Sequence, residues 1–536
     1  MSRLLAIQAR VWLRVLIPRL SARPGLPPEP ERKTVLSLAS PPRPECPCAP
    51  APAGRAGLLA TALLCLALAG CQSAALDESL RPSSTPVTID NVTRNDRLAE
   101  AARQQHPRIL ATYGGEYSDP RLERMVARIV GKLILTSENP SQTYRITILN
   151  SPNVNAFALP GGYLYVTRGL LALANDSAEL ATVIAHEMGH VTANHGLERQ
   201  QKEAEEVLAA AVVDEVLGDD PDARAALVRG KLRLAQFSRN QELEADAIGI
   251  RSAGKAGYDP YAAARFLQSM AAYSDFRTVS GATDASLDFL ATHPNTPQRI
   301  ELARRHARLV GPPGTGARDR TDLLDGIDGM LFGDTPQEGY VRGQTFLHPG
   351  LGVSFSAPRG FVIDNSAAAV TAAGPGDLAV RFDGVTLNRR TPLTDYIRSG
   401  WVSGLDVASV RPITINGQEA ARARAVADGW QFDVTVIRAG PQVYRLLTAA
   451  PAGSAALMPT ADAVAGSFRV LSEAEKAALQ PLRIRVVTVA AGNTVAGLAA
   501  RMSGVDRRLE LFRVLNGLTP GASVSAGDRV KIVTDR

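Results

Sequence analysis

Within VIAHEMGHVTANHG, residues 183–196, two histidines stand four positions apart, and a helix turns such a pair into a site. Residues i and i+4 lie one turn apart on the same helical face, so His186 and His190 can address one ion. Glu187 sits beside them, close enough to reach a water without taking a ligand position, which is why H-E-x-x-H has this spacing. The flanks specify the helix. Asp176-Ser177-Ala178-Glu179 has the form of a capping box, with Asp176 at the cap and Glu179 three residues on. Asn194 to Gly196 supply an exit signal, and Leu180, Val183, Ile184 and Val191 form an apolar stripe between them. Gly189 inside the helix costs about 1 kcal/mol relative to Ala, which implies that something approaches closely there.

Two ligands do not complete a metal site. The four cysteines, Cys46, Cys48, Cys65 and Cys71, all lie near the N-terminus, so the missing ligand is a histidine or a carboxylate. SRNQELEADAIG, residues 238–249, places Glu242 and Asp246 on one helical face. Zinc needs a carboxylate to complete a His₂Glu set, and an outer carboxylate to hold a histidine ring. Glu242 fits the first role and Asp246 the second, while Glu244 points elsewhere on the helix. The plain alternative for this run is a solvated charged face. A third histidine six positions after His190 would be another solution, but Gly196 stands there. His195 is off by one and reads as a helix C-terminal residue favoured by the dipole. His106, His306 and His348 have no partner at ligand spacing.

HEMGH followed by QELEAD resembles peptidase family M48, a group of gluzincins, and NAFALPGGYLYVTRGLL (155–171) is similar to the segment that precedes the family's motif. The resemblance covers roughly residues 93–308. It implies a mostly α-helical gluzincin-type metalloprotease domain with a small β-sheet. It also implies one Zn²⁺ per chain, with His186, His190 and Glu242 as ligands, Glu187 as general base and Asp246 behind the ligands. The family's THP-x-x-x-x-R segment has a counterpart in LATHPNTPQRI (290–300), which implies His293 as a reversible fourth ligand; otherwise His293 is a turn residue before a helix from Thr296. Tyr163, Leu164, Tyr165 and Val166 form a strand just before the metal helix. At a sheet edge they would pair with an extended peptide; the alternative is an interior strand. The chain lacks the spanning helices of the family's integral-membrane members, and so resembles its soluble, periplasmic branch.

A chain of 536 residues holds several domains. Residues 1–71 read as a leader, signal peptide and lipobox: Arg55 precedes the short apolar run GLLATALLCLALAG, and Leu68-Ala69-Gly70-Cys71 resembles the bacterial lipobox. That implies lipidation of Cys71, and Gln72 in place of Asp implies the outer membrane, facing the periplasm. Residues 72–92 form a polar tether, 93–310 the metalloprotease domain and 311–339 a linker with a short helix. Residues 340–475 read as an α+β domain that faintly resembles PsbP/Mog1-like domains and carries no chemical constellation. Residues 483–536 read as strand, helix, helix, strand, and VVTVAAGNTVAGLAARM, LNGL and AGDRVKIV resemble a LysM module. The implied ligand is peptidoglycan, although Asn493 departs from the usual G-D-T.

The formal net charge of +6 is concentrated in the first 55 residues, and no later basic run carries aromatics, so nucleic acid is excluded as a partner. The membrane is met through the N-terminal lipid alone. The expected activity is zinc-dependent cleavage of unfolded or misassembled cell-envelope proteins. A periplasmic chaperone or scaffold with latent cleavage is the alternative. A cell-wall hydrolase is a third reading, against which the M48-like motifs stand.

Overall fold

The computed structural model describes residues 89–137, 140–217, 221–279, 289, 293, 296–366 and 369–535. Cys71 and the signal segment lie outside the described residues. The chain opens with α1 (Ile89–Thr112), α2 (Pro120–Leu135), β1 (Arg145–Leu149), β2 (Ala156–Leu159), β3 (Tyr163–Thr167) and α3 (Arg168–Leu173). The metal-motif helix α4 (Ser177–Thr192) follows, then α5 (His195–Leu217), α6 (Pro221–Lys255), α7 (Ala262–Val279), α8 (Pro297–Val310) and α9 (Arg320–Ile327). The helix α2 starts where the sequence directs: Asp119 caps Arg121 N, Pro120 takes the first turn, and Leu122, Met125, Val126, Ile129, Val130 and Leu133 are buried.

The first sheet has the order β1-β3-β2, with β1 parallel and β2 antiparallel to β3. This corrects the expectation for Tyr163, Leu164, Tyr165 and Val166. β3 is hydrogen-bonded on both sides and has no free edge, and the last three of these residues are fully buried. The edges are β1 and β2, and β2 is a strand that the sequence pattern did not reveal. The turn into β3 needs glycine: Gly162 has φ +81°, and a Cβ there would lie 2.0 Å from Thr143 O.

The helix α4 is central. Asp176 accepts from Glu179 N at 2.9 Å, while Glu179 accepts from Asn175 N. Every residue from Ser177 to Gly189 is buried, so this helix is covered all round and has no solvent face along that stretch. What approaches Gly189 is α6: a Cβ there would stand 3.3 Å from Ile248 Cγ2. Facing it, a Cβ on Gly249 would lie 2.8 Å from His186 N. The two helices thus cross glycine against backbone, and this crossing brings Glu242 and Asp246 to the histidines. Gly249→Ala forces the helices apart at His186 and is expected to cost about 1–3 kcal/mol. Thermal unfolding of the purified variant with and without zinc checks this; an unchanged midpoint contradicts it.

Residues 311–339, expected as a linker, contribute Leu323, Leu324, Ile327 and Met330 to the same core as α2 and α4. Beyond them come β4 (Tyr340–Arg342), β5 (Thr345–His348), β6 (Val353–Ser356), β7 (Val362–Asn365), β8 (Val370–Ala373), β9 (Ala379–Val385), α10 (Leu393–Arg398), β10 (Leu405–Ile415), β11 (Gln418–Ala427), β12 (Trp430–Ala439), β13 (Gln442–Pro451), α11 (Leu457–Ser467), β14 (Arg469–Val470) and α12 (Glu473–Ala478). They form a seven-stranded antiparallel sheet, β10-β11-β12-β13-β9-β8-β7, and a four-stranded one, β14-β6-β5-β4. One face of the larger sheet packs on Phe346, Phe355 and α11 and the other on Leu393 and Ile397 of α10, so inward residues alternate along β12. Last come β15 (Arg483–Thr488), α13 (Val495–Ala500), α14 (Arg508–Leu515) and β16 (Arg529–Thr534), with β15 and β16 antiparallel. Their Ile484, Leu498, Phe512 and Ile532 belong to the α2–α4 core. Among the described residues no helix is long and apolar enough to cross a membrane.

Candidate metal centre

His186 and His190 project from α4 toward Glu242 on α6. His186 Nε2 lies 3.0 Å from His190 Nε2 and 3.6 Å from Glu242 Oε2, and His190 Nε2 lies 3.4 Å from Glu242 Oε1. His293 completes the cluster, with Nδ1 2.9 Å from Glu242 Oε2 and 3.3 Å from His186 Nε2. One ligand atom from each of these four residues falls within 4.8 Å of the others. Glu187 stands beside the cluster; His293 Nε2 is 3.6 Å from its Oε1, which is buried and makes no hydrogen bond.

Two supporting arms hold the rings. Asp246 Oδ1 faces His186 Nδ1 at 3.0 Å and is itself clamped by Arg299, whose Nε and Nη2 each donate to Asp246 at 2.8 Å. Arg299 Nη1 also reaches Glu242 Oε2 at 3.0 Å. The second arm was not expected. His195 Nδ1 lies 2.8 Å from His190 Nδ1, and its Nε2 lies 3.4 Å from Glu244 Oε2. His195 is thus a buried support for a ligand ring, held also through its carbonyl by Gln241. Glu244 points away from Glu242, as expected, but toward α5, which folds back along α6. Of the three remaining histidines, His106 meets Tyr165 Oη at 2.8 Å and His348 meets Gln337 O at 3.0 Å.

The electrostatics are those of a cation site. Burial alone would lower the His186 pKa, but hydrogen bonds to Asp246 and Glu242 outweigh it and raise the ring to about 10. Burial, with the charges of His186 and His293, drives His190 well down. Burial would raise Asp246, yet the Arg299 charge and the His186 hydrogen bond bring it to about 2. Burial pushes Glu187 up from its ordinary value. A proton on His186 balances two carboxylates here, and a divalent ion would displace it. Two imidazoles and a carboxylate facing one another in a buried pocket fit zinc. His293 fits the fourth position.

The chain matches the model of peptidase family M48 over residues 119–307. It is similar to the beta-barrel assembly-enhancing protease of Yersinia pestis, 32% identical over 231 residues, covering 40% of this chain and 45% of that protein. The mitochondrial metalloendopeptidase OMA1 of Arabidopsis thaliana is 38% identical over 168 residues, covering 31% of this chain and 32% of that protein. The beta-barrel assembly-enhancing protease of Escherichia coli is 28% identical over 204 residues, covering 36% and 41%. The chain therefore spans less than half the length of these relatives. The solution structure of PsbP from Synechocystis aligns with 26% of this chain and 98% of that one at 15% identity, with a TM-score of 0.20, too low to assign the β-rich region to that fold.

Proposed function

We propose that this chain is a zinc endopeptidase that cleaves unfolded or misassembled cell-envelope proteins. The observation that carries the reading is the convergence of His186, His190 and Glu242 beside buried Glu187, whose Oε1 accepts no hydrogen bond among the described residues. The names of the bacterial relatives point to envelope proteins as the substrate class. His186, His190 and Glu242 would hold a zinc ion, which would supply Lewis-acid polarisation of the scissile carbonyl and of water. Glu187 takes a proton from the attacking water and returns it to the leaving amine; burial raises its pKa above the ordinary value, which favours that exchange. Asp246 and Arg299 fix the His186 ring, and His195 and Glu244 fix His190.

The free edge beside α4 belongs to β2, so an extended substrate pairs there by backbone hydrogen bonds. Phe289 N already bonds Val154 O, just ahead of β2, at 3.3 Å, and the Phe289 ring stacks on His293 at 4.5 Å. In this reading His293 and Phe289 hold the resting site closed. Cys71 carries a lipid that anchors the chain at the outer membrane, facing the periplasm.

The C-terminal unit follows the strand–helix–helix–strand order of LysM, and we read it as a peptidoglycan contact. Two asparagines of this unit have structural tasks. Asn493 accepts from Ala490 N, and buried Asn516 bonds Phe512 O and both backbone groups of Lys531. The exposed 490–494 loop is the surface left for a glycan.

Removing the metal tests the reading. Dialysis against a chelator abolishes cleavage of an unfolded β-barrel protein and lowers the unfolding midpoint, and one equivalent of zinc restores both. Cleavage that survives complete removal of metal contradicts it.

A further inference from the structure

Lys531 sits in the middle of β16, a strand that closes the C-terminal unit, yet it is 0% exposed. A buried lysine needs partners for every proton it carries. Its Nζ donates to Ala172 O at 2.8 Å and Ala174 O at 2.7 Å, with Leu173 O at 3.4 Å. These are carbonyls that α3 leaves unpaired where the chain turns into α4. The same turn is held from two more directions. Arg320 Nη1 donates to Asn175 O at 2.7 Å and its Nη2 to Arg529 O at 3.1 Å, tying the turn to the base of β16. Asp176, the cap of α4, is fully buried and accepts from Arg318 Nε at 2.8 Å and Arg265 Nη2 at 3.2 Å. Backbone bonds continue the seam: Ile484 N reaches Met330 O, and Gly329 N reaches Ile484 O.

We infer that the C-terminal unit is a fixed part of the peptidase, and that Lys531 is a positioning residue that sets the direction of the metal helix. His186 stands about ten residues along α4 from this turn, roughly 15 Å at 1.5 Å per residue, so a tilt of about 4° at the turn moves its ring by about 1 Å. A shift of that size at a ligand matters for metal affinity and for the reaction. The unit therefore acts through α4, and whatever it binds is held at a fixed distance from the metal centre.

This inference rests on the zinc peptidase reading, and zinc affinity separates the two. The experiment measures zinc Kd by chelator competition, well below the unfolding midpoint. It uses the full chain as wild type, Lys531→Met, Arg320→Gln and the control Val464→Ala, whose residue is buried in the β-rich region away from the turn. Lys531→Met is expected to weaken zinc binding by about 10-fold or more, because a shift of about 1 Å misplaces a ligand. Arg320→Gln weakens it in the same direction by less. Val464→Ala lowers the unfolding midpoint and leaves zinc Kd unchanged. Wild-type zinc affinity in folded Lys531→Met overturns the inference and leaves the unit as a stabiliser only. If Lys531→Met does not fold, Arg320→Gln decides, and an unchanged Kd there overturns it. A wild-type chain that takes no zinc overturns both readings.

Discussion

Glu187→Gln is expected to keep zinc bound in the purified chain and to lower peptide cleavage by about 10²–10⁴-fold. The substitution preserves size and shape in a site with no room to spare, since Glu187 is 3% exposed. It removes the one property the reaction needs there, the capacity to accept a proton. Zinc is retained because Glu187 is not one of the converging groups; its nearest ionic partner is His293 Nε2 at 3.6 Å. Burial already holds the carboxyl above its ordinary pKa, which suits a group that gains and then gives up a proton in each cycle. Metal content by mass spectrometry and cleavage of an unfolded β-barrel protein, run on the same preparation, check both halves. Full activity in this variant contradicts the role of Glu187, and loss of zinc would make it a ligand.

His293→Ala is expected to raise kcat/KM by about tenfold, the effect of removing a competitor worth about 1.4 kcal/mol at the reacting position. A catalytic zinc site keeps one position open for water and substrate. Here His293 Nδ1 stands 2.9 Å from Glu242 Oε2 and 3.3 Å from His186 Nε2, among the groups that would hold the metal. Its ring stacks on Phe289, and its Nε2 lies 3.6 Å from Glu187 Oε1, so it sits between the general base and the groups that would hold the metal. Steady-state kinetics on a quenched peptide read the change directly. A tenfold fall would instead mean that His293 serves the reaction, through its proximity to Glu187.

The grouping of His186, His190 and Glu242 was legible because each depends on one local rule. The spacing of His186 and His190, and that of Glu242 and Asp246, needs only a helix, and the capping residues Asp176 and Glu179 specify where α4 starts. The supports were not legible because they depend on how helices return on one another. His195 looked one position out of register for a ligand, and Glu244 looked outward from Glu242. They meet because α5 runs back beside α6. Arg299 stands in the segment that carried His293, but nothing local says that α8 lays it across Asp246 and Glu242. Whether Tyr163 to Val166 lie at a sheet edge or inside it was not legible for the same reason. β3 follows β2 in sequence, yet it inserts between β1 and β2, and insertion is a non-local event. Lys531 breaks the simplest pattern of all, since a lysine between Val530 and Ile532 reads as the solvent face of a strand. Its carbonyl partners lie more than 350 residues earlier in the chain.

Zinc K-edge X-ray absorption on the purified chain tests the central claim most directly. The account predicts one bound zinc with nitrogen and oxygen ligands only, imidazole scattering from His186 and His190, and metal–nitrogen distances of about 2.0–2.1 Å. The signal should survive in Glu187→Gln and disappear in a His190→Ala variant. A sulfur shell, or zinc that stays bound with the same spectrum after His190→Ala, would place the metal elsewhere and contradict the account.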